Sequence, residues 1–178
     1  MWSLGKLLSR ERGGVPANSA IAVQEGAVAH DQGASIALTD GAGDAAFIAE
    51  SLIKYNLQQV GPSSYHTLTV AARDQAGQLV GGITGCTYWG WLIIECFWIH
   101  ESWRGRGLGT RLLRVAEQEA ITRGCHSSQL ESFSFQNWQF YEAQGYERYG
   151  TLSDFPFEHQ RISFRKRLGG TSDDKVRQ

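Results

Sequence analysis

The stretch "LIIECFWIHESWRGRGLGTRLLRVAEQEA", Leu92 to Ala120, constrains the fold more than any other part of the chain. An apolar, aromatic run of strand length ends near three glycines at alternate positions, Gly105, Gly107 and Gly109, and these lead into a leucine-rich helical pattern. A strand that passes through a glycine turn into a helix aims several unpaired N–H groups, and the positive end of the helix dipole, at one point. Such a point suits a phosphate. Glycine lets the backbone approach a ligand without a Cβ in the way, and Arg104, Arg106 and Arg111 add guanidinium donors, so the expected ligand is a pyrophosphate. Taken alone, Arg-x-x-Gly-x-Gly is a weak pattern, and a tight turn with no ligand is the structural alternative. A Walker loop is excluded because Gly-Lys-Ser/Thr is absent, and a dinucleotide site because it needs G-x-G-x-x-G within a parallel βαβ unit.

Around this segment the pattern predicts a strand at Ala34 to Asp40 and a helix over "DAAFIAESLIKYN" with Asp44 as N-cap. Three antiparallel strands follow, joined by turns at Asp74 to Gly77 and near Gly90. The helix after the glycines keeps Leu108, Leu112, Val115, Ala116, Ala120 and Ile121 on one face until Gly124. "SSQLESFSF" reads as a strand, Phe135 to Gln144 as a short helix with Ser134 as N-cap and Gly145 as its stop, and "QRISFRKRL" as the last of a final strand pair.

Length and composition set the frame. The 178 residues fit one domain, and 42% hydrophobic with 20% charged residues is ordinary globular composition. The expected limits are an N-terminal extension over 1–32, a single domain over 33–168 and a polar tail over 169–178. A net charge of −1 offers no basic field for nucleic acid or an anionic membrane. No stretch reads as a signal peptide or membrane span, and Cys86, Cys96 and Cys125 fit neither a disulfide framework nor a zinc site, so a reducing cytoplasm is expected. The five histidines form no ligand spacing, and no metal is expected.

The order of elements, with "FYEAQGYERYG" about 30 residues beyond the glycine turn, resembles the GNAT superfamily of N-acetyltransferases over residues 34 to 168. The family's Gln/Arg-x-x-Gly-x-Gly/Ala motif is matched by Arg104, Gly107 and Gly109, and its Tyr-x-x-x-Gly-Phe/Tyr motif by Tyr141, Gly145 and Tyr146. Many members carry Asn where this chain has Ser134, and Asn137, three residues on, is the substitute. The resemblance implies an α+β fold: a mixed central sheet of about six to seven strands, largely antiparallel, flanked by helices and splayed between the fourth and fifth strands. It also implies acetyl-CoA as donor. The pyrophosphate would lie on the backbone of Gly105, Arg106, Gly107, Leu108, Gly109 and Thr110 beside Arg104, and the pantetheine arm along Phe97, Trp98 and Ile99. A backbone N–H of Phe97 or Trp98 would polarise the thioester, and Tyr141 would be the general acid beside the sulfur.

Acetylating an amine requires a base, since an alkylammonium of pKa near 10.4 is neutral in only about one molecule in 2,500 at pH 7. Glu95, in the apolar run, and Glu131, in "QLESFSF", are the candidates, because a carboxylate in such surroundings is paired, hydrated or functional. His100 orients the loop. The resemblance implies an acceptor wall made by the first helix with its following loop and by the turn between strands, where Tyr55, Tyr65, Trp89 and Trp91 supply aromatic faces and Glu95 and Glu131 negative charge, which suits a cationic small molecule. The expected acceptor is a primary amine on a small polar compound, an amino sugar or aminoglycoside-type antibiotic, with a polyamine next. Acetylation of a protein lysine or N-terminus, and an acyl-CoA-binding module without turnover, are the alternatives. The charged last strand fits either a monomer or a homodimer.

Overall fold

The computed structural model describes residues 29–31 and 34–169. Most of the expected extension and the tail from residue 170 lie outside the described residues. The chain divides into two compact units, Met1–Gly61 and Pro62–Gln178.

In the first unit, β1 (Ala29–Asp31) pairs antiparallel with β2 (Ala34–Ile36), and α1 spans Ala42–Val60. The strand expected to reach Asp40 stops at Ile36, and the N-cap is Gly41 instead of Asp44. Asp44 lies in the first turn, where its carboxylate accepts from Thr39 Oγ1 at 2.8 Å and meets the positive end of the helix dipole. No described helix is long and apolar enough to cross a membrane.

The second unit is built on a six-stranded sheet of order β3-β4-β5-β6-β8-β7. Its strands are β3 (His66–Arg73), β4 (Leu79–Tyr88), β5 (Trp91–Ile99), β6 (Ser127–Phe133), β7 (Glu147–Ser153) and β8 (Gln160–Arg167). All neighbours are antiparallel except β5 and β6. The β3–β4 turn closes where predicted, with Asp74 Oδ1 accepting from the N–H groups of Ala76 and Gln78, both at 2.9 Å. Trp89 and Gly90 both take positive φ, 44° and 75°, as a two-residue hairpin turn with the twist of its strands requires.

Helix α2 (Leu108–Thr122) lies against β3, β4 and β5, and α3 (Gln139–Ala143) precedes β7. Leu108, Leu112, Leu113, Ala116 and Ala120 of α2 join Leu68, Ile83, Leu92, Ile94, Leu130, Ile162 and Phe164 in one apolar core. The expected stripe is turned: Val115 is 54% exposed and Ile121 also outside, while Glu117 faces inward. Leu113, 1% exposed, takes the inner place that the expected stripe gave to Val115, and Glu117 can face inward because both its carboxylate oxygens accept from Lys166 Nζ of β8, at 2.9 and 2.8 Å, with side-chain exposures of only 12% and 24%. Breaking one partner strands the other, so Lys166→Ala should cost about 3 kcal/mol. The paired change to Lys166→Met with Glu117→Leu should recover most of it, as read by denaturant midpoints.

Helix α3 is shorter than expected, starts after Trp138, and does not use Ser134 as its cap. Ser134 ties two loops together instead: its N–H donates to Gln160 O at 2.8 Å, and its Oγ accepts from Gln160 N–H at 3.1 Å. Gly124 and Gly145 end α2 and α3 with φ of 81° and 84°, as their positions predicted.

Candidate active site

The glycine turn separates its three glycines by task. Gly105 and Gly107 adopt φ of 70° and 72°, Gly107 being the N-cap of α2, and an added Cβ on either would face open space. Their requirement is backbone conformation beside a cleared volume. Gly109 is different: a Cβ there would lie 3.1 Å from Ile99 Cδ1 and 3.4 Å from the Phe140 ring. It serves close packing of α2 against β5 and the α3 segment, which corrects the expectation that all three glycines make room for a ligand.

Among the described residues, no acceptor is bonded to the backbone N–H groups of Gly105, Arg106, Gly107, Leu108, Gly109 or Thr110; the first intrahelical donor is Arg111, to Gly107 O at 3.2 Å. Free donors at the start of a 15-residue helix make a site for an anion. Arg104 is turned to another use, its Nε donating to Ile99 O at 3.0 Å, which fixes the turn to the end of β5. Arg106 lies over the Trp103 ring at 5.7 Å. His100 caps the short turn Glu101–Trp103, its Nδ1 accepting from Ser102 N–H at 3.3 Å, so it orients this loop as expected.

The predicted splay is present. β5 and β6 pair from Trp91↔Ser127 to Ile94↔Leu130 and then part. Opposite this point β5 carries a bulge: Ile94 pairs Gly85 and Cys96 pairs Thr84, so Glu95 is the extra residue. Extending the parallel register by one step sets Glu95 against Glu131, the first pair not formed. The two carboxylates therefore flank the mouth of the opening, and like charges in opposed positions favour separation over pairing. Glu131 is ion-paired with Arg161 and accepts from Ser163 Oγ at 3.5 Å. Glu95 interacts with a group of three side chains that sequence reasoning had only half found: Tyr65, Cys86 and Tyr88. Burial, then the nearby charges, raise Tyr65 to about 12 and Cys86 to about 11, and push Tyr88 up as well. The group forms where β3 begins: Tyr65 immediately precedes His66, which pairs Thr87, and its ring centroid lies 6.4 Å from that of Tyr88.

Ladder alternation assigns the backbone groups of β5. His100 N–H donates to Val80 O at 2.9 Å, so Trp98 directs its polar groups at β4, and Phe97 and Ile99 direct theirs into the splay. The expected donor is thus Phe97 N–H, and Trp98 is removed from that role.

Tyr141, at the middle of α3, is largely enclosed by aromatic rings, with Phe97, Phe140, Tyr146 and Phe164 all within 6.3 Å between centroids. Burial pushes its phenol up to about 12, and among the described residues its hydroxyl makes no hydrogen bond. Tyr146 is spent structurally, donating to Ser128 Oγ at 2.9 Å in the core.

Residues 40–146, well over half of the chain, match the model of the acetyltransferase (GNAT) family. The chain belongs to that family. This GNAT chain is 32% identical over 105 residues to an acetyltransferase of Agrobacterium fabrum, covering 59% of the chain and 77% of the relative. It is 39% identical over 86 residues to a blasticidin-S acetyltransferase of Streptomyces morookaense, covering 48% of the chain and 63% of that relative, so under two thirds of the latter is spanned. A crystal structure of an acetyltransferase from Bacillus cereus superposes with a TM-score of 0.71 at 32% identity, over 74% of this chain and 96% of that one. The protein is an acyltransferase with the GNAT fold, and GNAT acetyltransferases use acetyl-CoA.

The remaining expected site residues of this GNAT enzyme do not all gather at the splay. Trp91 starts β5, four residues before Glu95, and sits edge-on to His126 at 5.9 Å. Trp89 occupies the hairpin turn against Tyr88 at 5.6 Å. Asn137 is exposed in the turn before α3, where its carbonyl accepts from Phe140 N–H at 3.3 Å. Tyr55 belongs to α1 of the first unit. Cys86, Tyr88 and Arg161 were missed; the strand alternation that places Tyr88 and Cys86 on the Tyr65 face was the available signal.

Proposed function

We propose that this enzyme acetylates a primary amine of a small, polar, cationic molecule of the antibiotic or amino-sugar kind, by direct attack on acetyl-CoA within a ternary complex. The observation that carries the reading is the pair Glu95 and Glu131 at the mouth of the splay, with Tyr65 and Tyr88 beside Glu95. Carboxylates next to aromatic faces attract an ammonium group. The name of the Streptomyces relative supports an antibiotic acceptor. Residues 33–168 are proposed as the single catalytic domain.

The N–H groups of residues 105–110 bind the pyrophosphate, and the edge of β5 from Phe97 to Ile99 holds the pantetheine arm. When bound, the thioester supplies the activated acetyl carbon. Phe97 N–H donates to its carbonyl oxygen, where negative charge develops. Glu95 takes the ammonium proton, directly or through water, and Glu131, held by Arg161, attracts the cation. Tyr141 donates a hydrogen bond to the departing sulfur. Full proton transfer from a phenol at about 12 to a thiolate of ordinary pKa near 8.5 is uphill by about 5 kcal/mol, so hydrogen bonding is the role that fits. Cys86 is no acyl carrier: with its pKa at about 11, roughly one molecule in 10,000 is thiolate at pH 7.

The test is coenzyme A release from acetyl-CoA against a panel of nucleoside-type and aminoglycoside antibiotics, amino sugars, polyamines and lysine peptides. Turnover on a small amine is expected, and turnover confined to peptides would overturn the acceptor class. Glu95→Gln should lower kcat/KM for the favoured amine about 100-fold while leaving the acetyl-CoA KM within about twofold.

A further inference from the structure

A cluster of aromatic rings at the carboxyl end of β6 plays no part in the chemistry above. The Phe133 and Phe135 rings are stacked, 5.2 Å apart and 5° from parallel, with Phe155 edge-on to Phe133 at 6.2 Å and His159 edge-on to Phe135 at 4.9 Å. Phe135 is 57% exposed and Phe155 45%. Exposed apolar rings on a mobile loop would mean little, but these are held. Gln136 Oε1 accepts from Phe133 N–H at 3.0 Å and Ser132 Oγ at 3.1 Å, and Ser134 is bonded twice to Gln160. Several exposed aromatic rings held together form the kind of apolar surface that binding sites use.

Its location says what binds. Phe133 follows Glu131 by two residues on β6, so both side chains share one face of the sheet, about 7 Å apart along the strand. Arg161 joins the two places: it is ion-paired with Glu131 and its guanidinium stands 5.2 Å over the Phe155 ring. The aromatic shelf is therefore continuous with the mouth of the splay.

We propose that this shelf binds a planar unsaturated ring of the acceptor, so that the preferred substrate is an amine carrying a flat heterocycle about 7–12 Å from the reacting nitrogen. The ring packs against the exposed part of the Phe135 side chain while the ammonium reaches Glu95 and Glu131. This rests on the reading of the splay as the acceptor site. Stacking of a base on an aromatic side chain is worth roughly 1–3 kcal/mol, on the order of tenfold or more in kcat/KM.

The experiment compares N6-(4-aminobutyl)adenosine, whose amine lies about 9 Å from its purine ring, with spermidine as acceptors, by coenzyme A release and by calorimetric binding. The wild-type enzyme is expected to prefer the nucleoside amine at least tenfold in kcat/KM. Phe135→Ala should reduce that preference about tenfold, through KM, and Phe135→Trp should restore it. An unchanged ratio in Phe135→Ala, or no wild-type preference in either binding or turnover, would overturn the shelf. Tight binding of the nucleoside amine without acetylation, weakened in Phe135→Ala, would uphold the shelf and overturn the acceptor reading of the splay.

Discussion

Tyr141→Phe is expected to reduce kcat on the favoured amine by about 100-fold, with the KM for acetyl-CoA within about twofold and the melting temperature little changed. The ring keeps its contacts with Phe97, Phe140, Tyr146 and Phe164, so only the hydroxyl is lost. Among the described residues that hydroxyl bonds to nothing, so no structural hydrogen bond is broken. Activity within about threefold of wild type would remove Tyr141 from the chemistry. The pH dependence gives a second reading with a definite sign. The role needs the O–H, which is lost as pH rises through the raised value of about 12, whereas an ordinary phenol would lose it near 10. The Tyr141-dependent part of kcat, taken as the ratio of wild type to Phe variant, should therefore stay flat from pH 9 to 11. A ratio falling with a midpoint near 10 would place the hydroxyl in water instead.

Gly85→Ala is expected to be the most damaging small change in the sheet. A Cβ at Gly85 would fall inside the van der Waals radius of the Ile93 carbonyl oxygen, and would lie 3.1 Å from that carbonyl carbon and 3.2 Å from Ile94 Cα. These are backbone atoms of the neighbouring strand, which cannot swing away as the end of a side chain can. The bulge at Glu95 must open or shift, at a cost of about 3 kcal/mol or more. In a chain of this length that lowers the melting temperature by roughly 6–12 °C. Because the same bulge sets Glu95 at the splay, whatever folded protein remains should lose kcat/KM for the amine more than it loses acetyl-CoA binding. A variant with wild-type melting behaviour would show that the β4–β5 register is looser than it looks.

The local structure on which the proposed donor side rests was legible in the sequence because it is continuous. The glycine turn, the helix after it and the Tyr141 motif are each continuous stretches whose residue types follow from backbone conformation. The proposed acceptor side depends on strand register. Glu95 and Glu131 stand on the two sides of the splay because the β5–β6 pairing ends at Ile94 and Leu130, and the bulge that turns Glu95 was hidden because Gly85 reads like any glycine in a strand. Tyr88 and Cys86 come near Tyr65 through the β3–β4 pairing that begins at His66 and Thr87. Ser134 was misjudged as a cap because its partner, Gln160, is distant in sequence. The face of α2 was misjudged because Leu113 is buried in place of Val115, and the inward Glu117 is paired with a lysine remote in sequence, Lys166.

Gly109 bears on how the proposed donor site would measure its ligand. By admitting Ile99 and Phe140 to contact distance, it holds together the start of α2, the end of β5 and the neighbour of Tyr141. With the pyrophosphate on α2 and the thioester beside Tyr141, as proposed, anchor and reaction point are a fixed span apart that the donor's own length must fill. Short acetyl thioesters without the nucleotide end would reach the splay unguided, so on that reading the clamp is a ruler for the carrier.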